Sequence, residues 1–235
     1  MSFGRAAADY ERGRPEWPDE AVECAAHRLG LSPDAAVLDL AAGTGKLTRK
    51  LVSRVRRVIA VEPDDAMRAL METLVPEAEA LTGTARRLPL RDGEVNAVFV
   101  AEAFHWFARS KELGEIARVL SPGGGLALLW HKPLESLLRH APWRDPRSDH
   151  QRADSGAWKE SFAGSLFEPL QEANFEQVQR VDRDGVLAYF ASISPIASLS
   201  DEDRRRQLKE VAAQLDRDTY ERRWRIDVYW TRLSE

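Results

Sequence analysis

Short apolar runs alternate with amphipathic stretches through the first 130 residues of this chain. Val37–Leu40, Val58–Val61, Ala78–Leu81, Val95–Ala101 and Leu126–Trp130 are the runs, and they predict strands covered on both faces. The stretches between and before them predict helices over Pro18–Leu29, Lys46–Val52, Asp64–Leu74 and Ser110–Leu120. Ser121-Pro-Gly-Gly-Gly125 reads as a turn into the fifth strand. Such alternation predicts an α/β fold with a mostly parallel sheet, helices on both faces and right-handed crossovers.

The later half is less regular. Trp158–Ala173 reads as a helix with Phe162, Leu166, Phe167 and Leu170 on one side, and Phe175–Val181 as a strand. Asp184 is a candidate cap for a short helix through Ile193. Ser200 with Asp203 resembles a capping box before Gln207–Leu215. Trp224, Ile226, Val228 and Trp230 alternate with Arg225, Asp227 and Tyr229, the period of a final strand with one buried face.

Composition narrows the class. A chain of 235 residues with 43% hydrophobic content can bury a full core as one domain. Cys24 is the lone cysteine, which excludes an intrachain disulfide and suits a reducing cytoplasm. A net charge of −4 gives no general attraction to nucleic acid, and no apolar run has the length of a membrane span. His27, His131, His140 and His150 lack metal-ligand spacing, so no metal is expected. Arg204-Arg-Arg206 and Arg222-Arg223, set among acids, read as solvated helix faces. Trp143, Trp158, Trp224 and Trp230 suggest a bulky apolar wall.

The chemistry concentrates in Val37-Leu-Asp-Leu-Ala-Ala-Gly-Thr-Gly-Lys-Leu-Thr48. A buried strand ends near an acid, Asp39, and runs through a Gly-x-Gly turn into a helix. A second acid, Glu62, follows the next strand. Gly43 and Gly45 permit positive φ and close approach of a ligand to the backbone. Glu62 has two acceptor oxygens for the hydroxyls of a ribose. A dinucleotide fingerprint wants a small residue at the position of Thr48, and a P-loop wants Ser or Thr where Leu47 stands. Asp39 would repel a pyrophosphate and favour a cation. S-adenosylmethionine has an ammonium, a sulfonium and a ribose, and no phosphate.

These residues resemble the motifs of class I S-adenosylmethionine-dependent methyltransferases. Val37–Thr48 is similar to the first motif, Val61-Glu-Pro63 to the second and Gly83-Thr-Ala-Arg-Arg-Leu-Pro89 to the adenine-side motif. Ala103-Phe-His-Trp-Phe107 and Tyr10-Glu-Arg-Gly-Arg-Pro15 resemble a small-molecule branch that includes the trans-aconitate methyltransferase-like proteins. The resemblance covers most of Tyr10–His131. It implies a Rossmann-like sheet of seven strands whose last strand is antiparallel and lies beside the fifth. It also implies a cofactor cradle of Asp39, Ala41, Gly43, Gly45, Glu62, Pro63, Met67, Thr84, Ala85 and Ala101. Two departures stand out: Thr84 where an Asp is usual, and Ala41-Ala42 where a Gly-Cys or Gly-Ala pair is commoner.

Methyl transfer from a sulfonium is an in-line displacement, so positioning and desolvation carry most of the work. His105 is the candidate base, with the alternative that it only positions substrate. Phe104 and Trp106 are candidate substrate contacts, though alternation puts some of this segment in the core. Tyr10 and Arg14, four apart on a short helix, form a candidate carboxylate clamp, and His131 ends the fifth strand. The expected organisation is a lid over residues 1–30, a cofactor core over 31–131 and a substrate wall with the final strands over 132–235. The acceptor is expected to be a small organic molecule, a carboxylate or a hydroxyl, handled by a monomer or homodimer. An RNA or protein methyltransferase and a non-catalytic S-adenosylmethionine-binding regulator remain open alternatives.

Overall fold

The computed structural model describes residues 7–140 and 155–234. Trp143, His150, the first residues of the expected lid and residues 141–154 of the expected wall lie outside the described residues.

In chain order the elements are α1 (Ala7–Gly13), α2 (Asp19–Arg28), β1 (Ala36–Leu40), α3 (Thr48–Leu51), β2 (Arg57–Val61), α4 (Asp65–Leu74), β3 (Glu79–Leu81) and β4 (Val95–Ala101). They continue with α5 (Ser110–Val119), β5 (Leu120–Pro133), β6 (Gln171–Asp182), α6 (Arg183–Ser192), α7 (Ser194–Ala197), α8 (Asp201–Gln214) and β7 (Thr219–Arg232). Two 3-10 turns add Phe104–Trp106 and Ala157–Phe162.

The strands form one sheet in the order β3-β2-β1-β4-β5-β7-β6. The first five are parallel, and β7 runs antiparallel between β5 and β6. The order reverses at β1, where β2 lies on one side and β4 on the other, so the crevice between their carboxyl ends is the switch point where such sheets bind ligands.

Two apolar layers sandwich the sheet. Val37, Phe99, Leu129 and Val228 face α2, α6 and α8, while Leu38, Val98 and Leu128 face α5 and the 3-10 turn at Trp158. Strand alternation makes this division, since neighbours on a strand point to opposite faces. Helical spacing completes it: Leu113, Ile116 and Ala117 form the buried stripe of α5. Each large apolar side chain buried this way stabilises by roughly 1.5–3 kcal/mol. Asp64 caps α4 by accepting the N–H groups of Ala66 and Met67. No helix among the described residues is long and apolar enough to cross a membrane.

The expected strand with alternating tryptophans is β7, and its apolar residues are buried as the period requires. Four expectations need correction. The fifth strand begins at Leu120, because Gly125 pairs within the sheet where Thr231 O would lie 2.5 Å from a Cβ. Trp158–Ala173 is not a helix: Gly164 adopts φ 69°, and the chain enters β6 at Gln171. The cap of α6 is Asp182, whose carboxylate accepts the Gly185 N–H, not Asp184. Arg222-Arg223 lies on β7, not on a helix face, and Arg222 is buried. Ser200 does cap α8, which starts at Asp201, earlier than Gln207.

Candidate active site

The turn after β1 begins with backbone bonds to β2. Ala41 and Ala42 N–H donate to Val61 O at 2.8 and 3.2 Å, tying the turn to the end of β2. Ala41, Gly43 and Gly45 have φ of 61°, 60° and 84°. The two glycines take these values without strain, whereas a non-glycine residue there costs about 1–2 kcal/mol. Ala41 therefore carries strain at the position where the resemblance leads to the expectation of Gly. Gly45 has a second reason: a Cβ there would stand 2.7 Å from Met71 Cγ on α4.

Glu62 hangs beneath this turn. Its Oε2 accepts the Gly43 N–H and its Oε1 the Asp64 N–H, both at 2.9 Å. Burial raises its pKa, and the two backbone bonds only partly oppose that. Each oxygen keeps a second lone pair for an incoming hydroxyl. Asp39 is 1% exposed, and its Oδ2 accepts from Thr48 Oγ1 at 2.6 Å. Its Oδ1 is buried without a donor. Burial lifts the Asp39 carboxyl to about 7, with the Thr48 hydroxyl opposing and Glu62 adding to the rise. Thr48, the residue that breaks the dinucleotide fingerprint, is thus the partner of the acid beneath the turn.

The other expected cofactor residues differ in exposure. Met67 is buried at the start of α4, its Sδ 3.9 Å from where a Gly43 Cβ would lie. Pro63 and Thr84 are exposed, Ala85 is buried, and Ala101 is half-buried at the end of β4.

The β4–β5 side carries rings. Phe104 is 0% exposed and packs on Phe107, Trp158 and Phe162 at centroid distances of 5.5–5.9 Å. It is a core residue that fastens the 3-10 turn, which corrects its place among the substrate contacts. His105 and Trp106 are half-buried on that turn. Trp130 Nε1–H donates to His105 Nδ1 at 3.4 Å, and Trp130 itself stacks on Trp158 at 4.7 Å. A neutral imidazole that accepts at Nδ1 carries its proton on Nε2.

His131 is on the opposite face, 9% exposed, with its ring 3.9 Å from that of Trp17. Its partner is Glu102, a residue that the motifs left unmarked. Glu102 Oε1 accepts the His131 backbone N–H at 2.6 Å and lies 3.2 Å from His131 Nδ1. His131 Nε2 faces Glu16 O at 3.3 Å. Glu102 sits at φ 58°, an unusual conformation for a non-glycine residue. Burial alone would raise the Glu102 pKa, but His131 and the Arg14 charge outweigh it and hold the carboxyl below its ordinary range.

The amino-terminal helix closes over both sides. Glu11 Oε2 accepts from Thr44 Oγ1 and its Oε1 from Arg49, each at 2.6 Å, and Glu16 pairs with Lys46. Gly13 lets α1 touch α6, since a Cβ there would lie 2.0 Å from Tyr189 N. The Arg14 guanidinium lies 5.2 Å from the centre of the Tyr10 ring, and its Nε donates to Ser192 Oγ at 3.0 Å. Burial raises the Tyr10 pKa; Arg14 opposes this, while Glu102, Glu62 and Glu11 add to it. Tyr10 and Arg14 thus lie together, with Glu102 acting on both and Glu62 on Tyr10.

Comparison with known proteins agrees with this architecture. A family model described as a methyltransferase domain matches residues 38–128. An uncharacterized methyltransferase of Mycobacterium tuberculosis is 48% identical over 139 residues, 58% of this chain. The chain spans only about half of that relative, 55% of its length. An uncharacterized methyltransferase-like protein of Schizosaccharomyces pombe is 29% identical over 228 residues, 92% of this chain and 88% of its own. A solved structure named as a candidate type II methyltransferase of Anaeromyxobacter dehalogenans superposes with a TM-score of 0.62 at 23% identity. That superposition covers 93% of this chain and 97% of the other, and it speaks for the fold alone.

Proposed function

The matched domain and the fold are those of a class I S-adenosylmethionine-dependent methyltransferase, and on that premise we propose that this chain methylates a small organic molecule. One observation carries the cofactor half of this reading: the Glu62 carboxylate, hung on the Gly43 and Asp64 N–H groups beside the glycine turn. Two backbone donors fix its plane and leave lone pairs for a ribose diol. The donor set fits the cofactor's charge as well. Asp39 and Glu62 put two acids at the turn, and the nearby cations Lys46 and Arg49 are each paired with an acid, Glu16 and Glu11, a balance that suits a sulfonium and an ammonium better than a phosphate. Asp39, buried against Thr48, acts in this reading through its charge and its unpartnered Oδ1. Ala41, Gly43, Gly45, Pro63, Met67, Thr84, Ala85 and Ala101 would surround the remainder.

Bound S-adenosylmethionine supplies an electrophilic methyl group on a good leaving group. The protein's residues orient the acceptor and exclude water. His105, with Nδ1 taken by Trp130, presents a donor at Nε2, so it positions an acceptor oxygen in preference to removing a proton. Trp106 flanks it at 5.4 Å between ring centres. Tyr10 on α1 and Arg14 just after it close the far side as a cover, supported by the Glu11 bonds to Thr44 and Arg49. A reducing cytoplasmic setting belongs to the same proposal and is supported by the single Cys24.

Calorimetry with S-adenosylhomocysteine and NAD tests the reading. Micromolar binding of the first and none of the second is expected, and tighter binding of NAD would overturn it. A panel of small carboxylates, phenols and amines, followed by S-adenosylhomocysteine release, then identifies the acceptor.

A further inference from the structure

Arg222 is the least expected buried charge in the molecule. It lies on β7 two residues beyond Trp224, the last β7 position paired with β5 at the carboxyl edge of the parallel strands, and it is 6% exposed. Its guanidinium is 3.8 Å from the centre of the Tyr189 ring and 4.2 Å from that of Trp224. The Arg14 guanidinium is 5.0 Å from the same Tyr189 ring. Two guanidiniums therefore share one aromatic ring, beside α1 and the expected acceptor site.

Among the described residues neither forms an ion pair: no carboxylate lies within ion-pair distance of Arg14 or Arg222, and Arg222 Nη1 is buried with no hydrogen-bond partner. Arg54 and Arg204 also bury an unpartnered nitrogen, but each guanidinium is paired, with Asp19 and Asp9 respectively. Burial pulls the Arg222 pKa down, Tyr189 opposes, and the Arg14 charge adds to the fall. A desolvated cation without a partner is costly, and an anion placed beside it recovers much of that cost. Ring faces hold both guanidiniums in place, the Tyr189 hydroxyl also acts on Arg222, and Ser192 takes the Arg14 Nε–H, which leaves Arg222 Nη1 and the Arg14 Nη groups for a ligand.

We propose that Arg14 and Arg222 form the receptor for a carboxylate of the methyl acceptor. Guanidinium edges match a carboxylate bidentately, and in a desolvated site such bonds are strong. Glu102, the acid whose charge acts on Arg14, already gives one oxygen to His131 and does not replace the ligand. Selection follows directly: two cations favour organic acids over neutral phenols and over amines. This assignment rests on the small-molecule methyltransferase reading and names its substrate class.

The test uses the full chain saturated with S-adenosylhomocysteine, titrated calorimetrically with glutarate and benzoate and with their neutral amides, glutaramide and benzamide. At least one acid should bind, with its amide weaker by about tenfold or more, the value of one charge-assisted hydrogen bond. Arg14→Gln and Arg222→Met should each weaken the acid by about tenfold or more while leaving S-adenosylhomocysteine affinity unchanged. Should Arg222→Met fail to fold, Arg14→Gln decides, with Arg222→Lys expected to retain part of the acid affinity. The proposal is overturned if neither acid binds below about 10 mM, if amides bind as well as acids, or if the variants keep the acid affinity. Absence of S-adenosylhomocysteine binding to the parent protein would instead remove the methyltransferase reading, and the acid–amide comparison on the unliganded chain would still be read.

Discussion

Glu62 and Glu102 occupy equivalent places, one residue past the ends of the parallel strands β2 and β4, and they are put to opposite uses. Glu62 takes two backbone N–H groups from its own neighbourhood, and burial raises its pKa. Glu102 takes a histidine from the adjacent strand, feels an arginine from the amino terminus and is held ionised. The difference separates the two halves of the site. In the proposed reading, the cofactor side is set mainly by the backbone of a short stretch of chain. The proposed acceptor side gathers side chains from in or beside α1, β4, β5, α6 and β7. A backbone-built site tolerates little variation in the turn, while a side-chain-built one can change its ligand by changing single residues.

The largest effect expected from breaking this contrast is on stability. His131→Ala removes the ring stacked on Trp17 and leaves Glu102 with the backbone N–H alone. Deleting one partner of a largely buried pair should cost about 2–4 kcal/mol, visible in chemical denaturation. Glu102→Gln should cost less, because the amide oxygen still accepts the His131 N–H. The pH dependence has a definite sign: the depressed Glu102 pKa contributes stability above the ordinary carboxylate range and loses it as pH falls. In Glu102→Gln that acid-side loss should shrink.

Glu62→Ala should leave stability nearly unaltered by comparison and weaken S-adenosylhomocysteine by about 10–100-fold, the worth of charged hydrogen bonds of about 1.5–3 kcal/mol. Calorimetry showing equal affinity would take Glu62 out of the site. The two glutamates are thereby separated by their readouts, one in folding and the other in binding.

Asp39 sharpens the contrast through pH. Its carboxyl is raised to about 7, so its contribution to stability is present below the ordinary Asp range and is lost as pH rises through about 7. Glu62 shifts in the same direction and Glu102 in the opposite one. The α-ammonium of the ligand favours the ionised form of Asp39, so S-adenosylhomocysteine affinity should rise about tenfold between about pH 6 and 8. Asp39→Asn should flatten that rise and make the unliganded protein more stable near pH 8. A parent protein with pH-independent affinity would remove Asp39 from the electrostatics of the site.

The same contrast explains what was legible in the sequence. Strands β1, β2 and β4 and the glycine turn follow from local signals, and they stand where the pattern puts them. Seven strands with the last one antiparallel beside the fifth follow from resemblance to a family, and the tryptophan alternation of β7 supports that final strand. Glu102 escaped because a left-handed conformation in a non-glycine residue leaves no compositional trace. Arg222 was read as solvated because an Arg-Arg pair is ordinarily so, and its burial depends on Tyr189 and Trp224 meeting it in space. The apparent helix at Trp158–Ala173 failed for a related reason. Phe162 and Phe167 do pack, 6.1 Å apart, but around the bend at Gly164 instead of along a helix.

The smallest effect should be at His105. Its Nδ1 accepts from Trp130, which leaves Nε2–H to donate toward an acceptor atom. A glutamine side chain also donates and accepts, so His105→Gln should keep kcat within about tenfold of the parent and leave S-adenosylhomocysteine affinity intact. His105→Ala should lose more, since it removes the donor outright. A general base would behave differently, with kcat falling by about 10²–10⁴-fold in either variant and the ascending limb of the pH–rate profile disappearing. The measurement is S-adenosylhomocysteine release with the acceptor found in the panel. A His105→Gln enzyme with normal cofactor binding, almost no turnover and a flat profile would show that the proton, not the orientation, is what His105 controls. It would also require the Trp130 contact to break on acceptor binding, because Nε2 can accept a proton only if Nδ1 carries the hydrogen.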